Sequence, residues 1–147
     1  PDVFPPRFNA DLSRSQTCSS CKTRQKCTKS FTIQKFPQIL VIHLKRFSPH
    51  ERFRAKLSTT VEFPVNNLDM SSYAASSGKQ CTYNLYGIAN HSGTTYSGHY
   101  TAYCKHPYLN DWYEFNDARV SKVSRNSLVS GEAYLLFYEL GGYSTRL

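Results

Sequence analysis

One histidine of this chain has the surroundings expected of a catalytic base. His99 follows a loop rich in Gly, Ser and Thr, and the next apolar run ends in Asn116 and Asp117. A histidine that takes the proton of a nucleophile and is oriented by an amide or carboxylate is typical of Ser- and Cys-dependent hydrolases. The pattern therefore predicts His99 as a general base with Asn116 and Asp117 beside it. The alternative is a loop-end histidine with an ordinary hydrogen bond.

Three strands are predicted to position these groups, at residues 82–89, 99–104 and 112–116. Pairing them as consecutive antiparallel hairpins puts Asn90 opposite His99 and Asn116 opposite Tyr100. The polar groups of Asn90, His99 and Asn116 should therefore meet at one end of a sheet, with Asp117 just beyond.

No residue of the chain is placed to be the nucleophile. Cys104 is five residues from His99, so a continuous strand puts it on the other face and about 16 Å away. Cys81 lies near the far end of its strand. Ser92 and Ser97 belong to the loop and have no strand-to-helix elbow around them. We therefore expect the nucleophile to come from outside this chain.

A second group of residues that could do chemistry is Cys18-Ser19-Ser20-Cys21. Two thiolates at this spacing can ligate one side of a tetrahedral zinc ion, with Cys27 as a further candidate. The chain has no second C-x-x-C or His pair near it, so a zinc half-site is predicted. Unliganded structural cysteines and a redox pair are the alternatives.

Charge and composition narrow the function classes. The 147 residues suffice for one domain or part of a larger one, and the net charge is +8. The basic residues form two modest clusters and no long run, so we do not expect nucleic acid as the main partner. No apolar run approaches the ~20 residues that span a bilayer, and we expect no membrane partner.

The cysteines and the N-terminus indicate the compartment and the origin of the chain. Five cysteines without a secretory signal favour reduced thiols in an intracellular setting, cytoplasmic or nuclear. The chain starts at Pro1 rather than Met, so it is expected to be a piece of something longer.

The remaining segments are predicted to be mostly strand. Residues 1–17 have no periodicity and are expected to form a linker or loop, and 31–36 alternate like a strand. Residues 39–44 are almost continuously apolar, typical of a strand buried on both faces, with His43 as a core histidine. A short helix is expected within 68–75, one or two helical turns within 124–130, and a final strand at 134–138.

Five spaced motifs together resemble the ubiquitin-specific proteases, which are papain-like cysteine deubiquitinases. They lie at residues 36–47, 83–88, 90–103, 112–117 and 133–138. The resemblance implies an α+β papain-like fold, mostly the antiparallel β palm and part of the zinc-bearing fingers. It implies that 18–140 are the C-terminal half of the catalytic domain, with fingers at 18–36, palm at 37–140 and a tail at 141–147.

The resemblance also assigns roles to residues. His99 matches the general base of the triad, Asn116 the third position and Asp117 the adjacent acid, while Cys18 and Cys21 match one of two structural zinc pairs. Residues 48–57 and 92–98 match the two loops that flank the cleft for ubiquitin's C-terminal tail. The expected substrate-binding residues are Asn90, His91, Ser92, Gly93, Gly98 and Tyr100.

The function implied is hydrolysis of the isopeptide or peptide bond after ubiquitin's C-terminal glycine. The family's cysteine box and first zinc pair are absent, so the N-terminal half of the same domain is an expected partner, besides ubiquitin and ubiquitinated proteins. Two alternatives are a catalytically inactive ubiquitin-binding module and a zinc-ribbon nucleic-acid binder. The second leaves the motifs between Tyr83 and Asp117 without a purpose.

Overall fold

The computed structural model describes residues 9–10, 16–25, 29–47, 56–76, 81–94 and 96–142. The described elements are eleven β-strands and two short 3₁₀ helices. The strands are β1 Asn9–Ala10, β2 Gln16–Thr17, β3 Arg24–Gln25, β4 Lys29–Ser30, β5 Ile39–His43, β6 Leu68–Asp69, β7 Thr82–Gly93, β8 Gly98–Lys105, β9 Trp112–Asn116, β10 Arg119–Val123 and β11 Ala133–Leu140. The 3₁₀ helices are Ser71–Tyr73 and Arg125–Ser127.

Seven of these strands form one antiparallel sheet. Its order is β10-β9-β8-β7-β11-β5, and β6 pairs with β7 beside this path. Strands β7 to β10 are sequential neighbours, whereas β11 returns between β7 and β5. The short strands pair separately, β1 with β4 and β2 with β3, so the predicted linker at 1–17 contains two strand segments.

The core lies on one face of this sheet. Leu85 and Ile88 of β7 pair with Tyr138 and Leu136 of β11, and all four are buried. Burying each such side chain stabilises the fold by about 1.5–3 kcal/mol. The hydroxyl of Tyr138 donates to the carbonyl of Pro64 at 2.7 Å, which removes the cost of burying it unpaired. Burial also raises the pKa of Tyr138.

Strand β5 corrects one expectation. It is an edge strand whose residues alternate between exposed and partly buried, and Val41 is 50% exposed, so it is not buried on both faces. Only one of its faces meets the core among the described residues. His43 is likewise an exposed residue whose ring packs edge-on against Tyr134 at 4.7 Å, and not a core histidine.

Two local predictions were also wrong. Residues 31–36 are not a strand, since Ile33 makes only an isolated bridge to Ala74. The helix predicted within 68–75 is instead β6 followed by the 3₁₀ turn Ser71–Tyr73. Strand β10 was not predicted at all. The strand-dominated character is confirmed, and none of the described helices has the length and apolarity to cross a membrane.

Candidate active site at the ends of β8 and β9

The structure brings His99 and Asn116 into direct contact. His99 is the second residue of β8 and Asn116 the last residue of β9. Nε2 of His99 lies 2.8 Å from Oδ1 of Asn116, a normal hydrogen-bond length. The His99 side chain is 47% exposed, so its ring is held on one edge and open to solvent elsewhere.

The strand registers differ from the predicted ones. Ser92, rather than Asn90, lies opposite His99, a shift of two residues that leaves the face of every β7 side chain unchanged. Ala102 pairs with Phe115, and continuing that ladder sets Asn116 opposite Thr101 instead of Tyr100.

The second shift matters for chemistry. Side chains alternate between the faces of a strand, so a residue opposite Tyr100 would point away from His99. The observed register puts Asn116 on the face shared by His99 and Thr101, one diagonal step from the imidazole. The contact between the two site residues therefore depends on this one-residue difference.

The hydrogen bond also determines the tautomer of His99. An amide oxygen can only accept, so Nε2 must carry the proton that is donated to Oδ1 of Asn116. In the neutral ring Nδ1 is then unprotonated. The arrangement presents Nδ1 as the basic nitrogen of His99.

Asp117 lies nearby but in a weaker position. Its Oδ2 is 3.9 Å from Nε2 of His99, beyond hydrogen-bond length, and its side chain is 82% exposed. It occupies the turn between β9 and β10 with φ of 50°, a left-handed conformation that Asp tolerates better than most residues. Solvent screening weakens its attraction for a protonated His99.

The loop between β7 and β8 is closed by its own hydrogen bonds. The Thr94 hydroxyl accepts from the amides of Tyr96 and Ser97, each at 3.2 Å, and the Thr94 amide donates to the Ser97 carbonyl at 2.8 Å. Gly93 has φ of 101°, and an added Cβ would lie 2.4 Å from the Ser97 carbonyl oxygen, so the turn requires glycine there.

The predicted substrate-binding residues divide into two groups. Gly93, Gly98 and Tyr100 are exposed around His99, and Ser92 is partly buried opposite it. Asn90 and His91, in contrast, are only 1% and 5% exposed. The amide atoms of Asn90 find no hydrogen-bond partner within the described chain, so Asn90 does not bond to His99. Substrate binding by these residues stays a prediction.

The cysteines near the sheet are not directed at His99. Cys81 is buried just before β7, and Cys104 lies five residues beyond His99 on the other face of β8. Cys104 is exposed. Cys27 and most of the predicted cleft loop at 48–57 lie outside the described residues.

Cys18 and Cys21 form a tight turn between β2 and β3. The Cys18 amide donates to the Thr23 carbonyl at 2.9 Å, and the Lys22 amide donates to the Cys18 carbonyl at 2.9 Å. Hydrogen bonds from the side chain and backbone of Thr23, and then from the Cys18 side chain, lower the pKa of Cys21. Two adjacent thiols with a favoured thiolate suit a soft metal ion such as zinc.

This turn supplies only part of a ligand set. Across the described segments, no group of three or more His, Cys, Asp or Glu side chains could hold a metal ion. The zinc half-site therefore stays a prediction that fits the two thiols present.

Sequence reasoning missed the surroundings of His91. Its ring is packed by Phe47, Tyr100 and Tyr134, and its carbonyl accepts a hydrogen bond from Nζ of Lys56. Three different parts of the chain contribute these residues, so no local pattern marks them. Each of the three rings lies in one of the family motifs, at 36–47, 90–103 and 133–138, but nothing in those motifs shows that the rings meet.

The chain is similar to known proteins in both sequence and fold. The family model described as ubiquitin carboxyl-terminal hydrolase matches residues 4–138. Ubiquitin carboxyl-terminal hydrolase 2 of Gallus gallus is 52% identical over 137 residues, which are 93% of this chain and 38% of that protein. Ubiquitin carboxyl-terminal hydrolase Usp2 of Drosophila melanogaster is 55% identical over 141 residues, which are 94% of this chain and 15% of that protein. The chain thus spans well under half of these relatives.

Solved structures share the fold. A chain of the SAGA DUB module of Ubp8, Sgf11, Sus1 and Sgf73 bound to monoubiquitin is 37% identical, with a TM-score of 0.74 over 87% of this chain and 29% of that one. The same kind of module bound to ubiquitin aldehyde has a TM-score of 0.74 at 36% identity, over 87% of this chain and 30% of that one. The papain-like fold with its antiparallel palm is therefore confirmed.

Proposed function

Because this chain belongs to the ubiquitin carboxyl-terminal hydrolase family, we propose that it supplies the base and the orienting residue of a deubiquitinating thiol protease. The reaction is hydrolysis of the isopeptide or peptide bond after the C-terminal glycine of ubiquitin. The observation that carries the proposal is the 2.8 Å contact between Nε2 of His99 and Oδ1 of Asn116. Ubiquitin bound to structural neighbours supports the choice of substrate.

In this mechanism Nδ1 of His99 takes the proton of a cysteine thiol. The resulting thiolate attacks the carbonyl carbon of ubiquitin's last glycine, and the protonated Nδ1 then gives its proton to the departing lysine amine. A thioester remains on the cysteine. Nδ1 next takes a proton from water, which attacks the thioester, and the proton returns to the thiol as the ubiquitin carboxylate leaves.

Asn116 is the orienting residue in this scheme. By accepting from Nε2–H it keeps the ring in the tautomer that exposes Nδ1 and prevents rotation about the Cβ–Cγ bond. A neutral amide adds less stabilisation to the imidazolium than a carboxylate does. Asp117, at 3.9 Å, contributes a small attraction to the protonated ring.

The thiol of this scheme comes from a segment outside these 147 residues. Cys104 faces the opposite side of β8, and Cys81 is buried before β7. Neither reaches Nδ1 unless the sheet that orients His99 is broken. The N-terminal part of the same catalytic domain is the proposed source, since relatives are much longer than this chain.

A structural zinc ion is proposed for the Cys18 and Cys21 turn. These two thiols would provide two of its four ligands, and the remaining two would come from outside the described residues. When bound, such an ion crosslinks chain segments and contributes directly to folding. An intracellular, cytoplasmic or nuclear setting is proposed with it, since thiolates of this kind stay reduced there.

The experiment that tests the function uses the full-length protein and ubiquitin carrying a fluorogenic amide at its C-terminus. His99→Ala should lower kcat by at least about 10³-fold while ubiquitin binding persists, because the proton acceptor is lost. His106→Ala is the matched control, since His106 lies in the β8–β9 turn and bonds to the amides of Tyr108 and Leu109. Turnover by His99→Ala close to that of the wild type would refute the assignment.

The same experiment distinguishes the proposed protease from a ubiquitin-binding module without catalysis. A ubiquitin-binding module without catalysis would bind the substrate but show no turnover even as the wild type. The interpretation as a nucleic-acid binder finds no support in the geometry at His99.

A further inference from the structure

A second histidine lies directly behind the His99 site. His91 is in β7, opposite Tyr100 of β8, on the face of the sheet that His99 does not share. It is only 5% exposed. The scheme proposed above uses no group of this residue, yet its ring is closely surrounded.

Three aromatic rings from three separate parts of the chain surround the His91 imidazole. Its centroid lies 4.7 Å from that of Tyr100, 5.8 Å from Phe47 and 5.9 Å from Tyr134. Rings at these spacings with tilted or edge-on geometry attract each other beyond their burial. We name this group of four rings the His91 cluster.

The backbone of His91 is held at both of its polar groups. Its amide donates to the Glu132 carbonyl at 2.9 Å, and its carbonyl accepts from Nζ of Lys56. The neighbouring Ser92 lies opposite His99 in the ladder, and its hydroxyl is 3.5 Å from the His99 carbonyl oxygen. His91 is therefore anchored while the next residue pairs with the catalytic strand.

The His91 ring also contacts the residue that precedes His99. A Cβ added at Gly98 would lie 2.3 Å from Nε2 of His91 and 2.7 Å from the Ser92 carbonyl oxygen. Only glycine lets the backbone come this close. The start of β8 thus rests on the His91 imidazole, one residue before His99.

The surroundings of His91 oppose a positive charge. Nδ1 has no hydrogen-bond partner among the residues that the structure describes. Lys56 adds a cation at the carbonyl of His91, and Arg46 adds a second positive charge near Lys56. The Glu132 carboxylate offsets part of the Lys56 charge, while Tyr100 and Tyr134 present aromatic rings. Burial, and then the charge of Lys56, lower the pKa of His91.

We propose that His91 is a positioning residue for His99: its neutral ring supports Gly98 and so sets where β8 presents the catalytic imidazole. The proposal rests on the function proposed above. Protonation would place a cation in an apolar cluster beside Lys56 and would push the ring away from Gly98. In the unfolded chain a histidine titrates near 6.5, so the stability that neutral His91 contributes is fully present above about pH 6.5 and is lost as the pH falls from there through the lowered pKa of the folded state.

The test uses two variants of the full-length protein and the fluorogenic ubiquitin substrate. His91→Ala removes the support, and we expect kcat to fall about 10- to 100-fold with KM changed by less than about twofold. His91→Met restores an unbranched, uncharged side chain that packs well on aromatic rings, and it should keep kcat within about threefold of wild type. His106→Ala, in the β8–β9 turn and outside the His91 cluster, serves as the control.

The pH profile supplies a readout that a purely structural role would not move. On the acid side, log(kcat/KM) of the wild type should fall with a slope one unit steeper than that of His91→Met, since protonation of His91 adds one proton to those that inactivate the site. His91→Met cannot protonate at this position and should fall with the shallower slope. This comparison remains decisive even if His91→Ala fails to fold.

Two outcomes would overturn the positioning role. One is His91→Ala with kcat within twofold of wild type, and the other is His91→Met with an acid limb that superimposes on the wild-type one. Either would count against His91 alone provided that His99→Ala is inactive. An active His99→Ala would instead remove the proposed function itself.

Discussion

The two constellations of this chain that can do chemistry are built in opposite ways. Cys18 and Cys21 lie in one tight turn and are placed by local hydrogen bonds between strands of two residues each. His99 and Asn116 are seventeen residues apart and come from two strands of a seven-stranded sheet. Residues close together in the sequence form the cysteine site, whereas pairing between separate strands forms the histidine site.

The difference agrees with the roles proposed for the two sites. A structural metal contributes its own binding free energy to ordering its ligands, so a short turn suffices to present two thiols. A general base must be in place before the substrate arrives, because an error of 1 Å can cost about 100-fold in rate. The long ladder between β7, β8 and β9 provides that rigidity for His99.

The largest effect within this comparison is expected at the orienting amide. Asn116→Ala should lower kcat by roughly 10- to 100-fold with little change in ubiquitin binding, because the His99 ring loses its hydrogen bond to β9. Steady-state kinetics of the full-length protein measure the separate changes in kcat and KM.

Asn116→Asp is the matched variant for that position. A carboxylate accepts the same hydrogen bond and adds charge stabilisation of the imidazolium, so its kcat should equal or exceed that of wild type. A large loss in Asn116→Asp together with none in Asn116→Ala would show that the 2.8 Å contact has no catalytic role.

A substitution in the turn of Cys18 and Cys21 should lower the stability of the protein and leave its catalytic rate nearly unchanged. Cys21→Ser should abolish stoichiometric zinc and lower Tm by several degrees, while kcat per folded molecule stays within about twofold of wild type. Metal content by mass spectrometry and thermal unfolding report the two effects. Cys104→Ser, which changes an exposed thiol on the sheet, should alter neither. Full zinc content in Cys21→Ser would exclude this turn as the metal site.

The smallest effect is expected at the exposed acid. Asp117→Asn should lower kcat by no more than about threefold at moderate ionic strength, since a largely exposed carboxylate 3.9 Å away is screened by solvent and salt. Kinetics at low and high salt provide the measurement. A loss as large as that of Asn116→Ala would reverse the roles assigned to the two residues.

The sequence predicted the positions of the strands at the site better than the register in which they pair. The strand at 112–116 coincides with β9, and the strand carrying His99 was placed within one residue at each end. Both registers were wrong, by two residues for β7–β8 and by one for β8–β9. Turn geometry decides register, and the Thr94 hydrogen bonds that close the first loop cannot be derived from composition.

Burial was harder to predict than pairing. The apolar run at 39–44 indicated a strand covered on both faces, but its position at the edge of the sheet leaves Val41 half exposed. The His91 cluster could not be predicted from the sequence for a similar reason, since its rings come from parts of the chain that meet only in the folded protein. Local patterns identify the chemistry of a residue, whereas long-range packing determines its surroundings.

The central claim is that His99 serves a thiol that these 147 residues do not contain. The most direct measurement reacts the full-length protein with ubiquitin carrying an electrophile at its C-terminus and maps the modified cysteine by mass spectrometry. The account predicts one adduct, on a cysteine outside this chain, formed quickly by the wild type and far more slowly by His99→Ala. An adduct on Cys81 or Cys104, or labelling that is unchanged in His99→Ala, would contradict it.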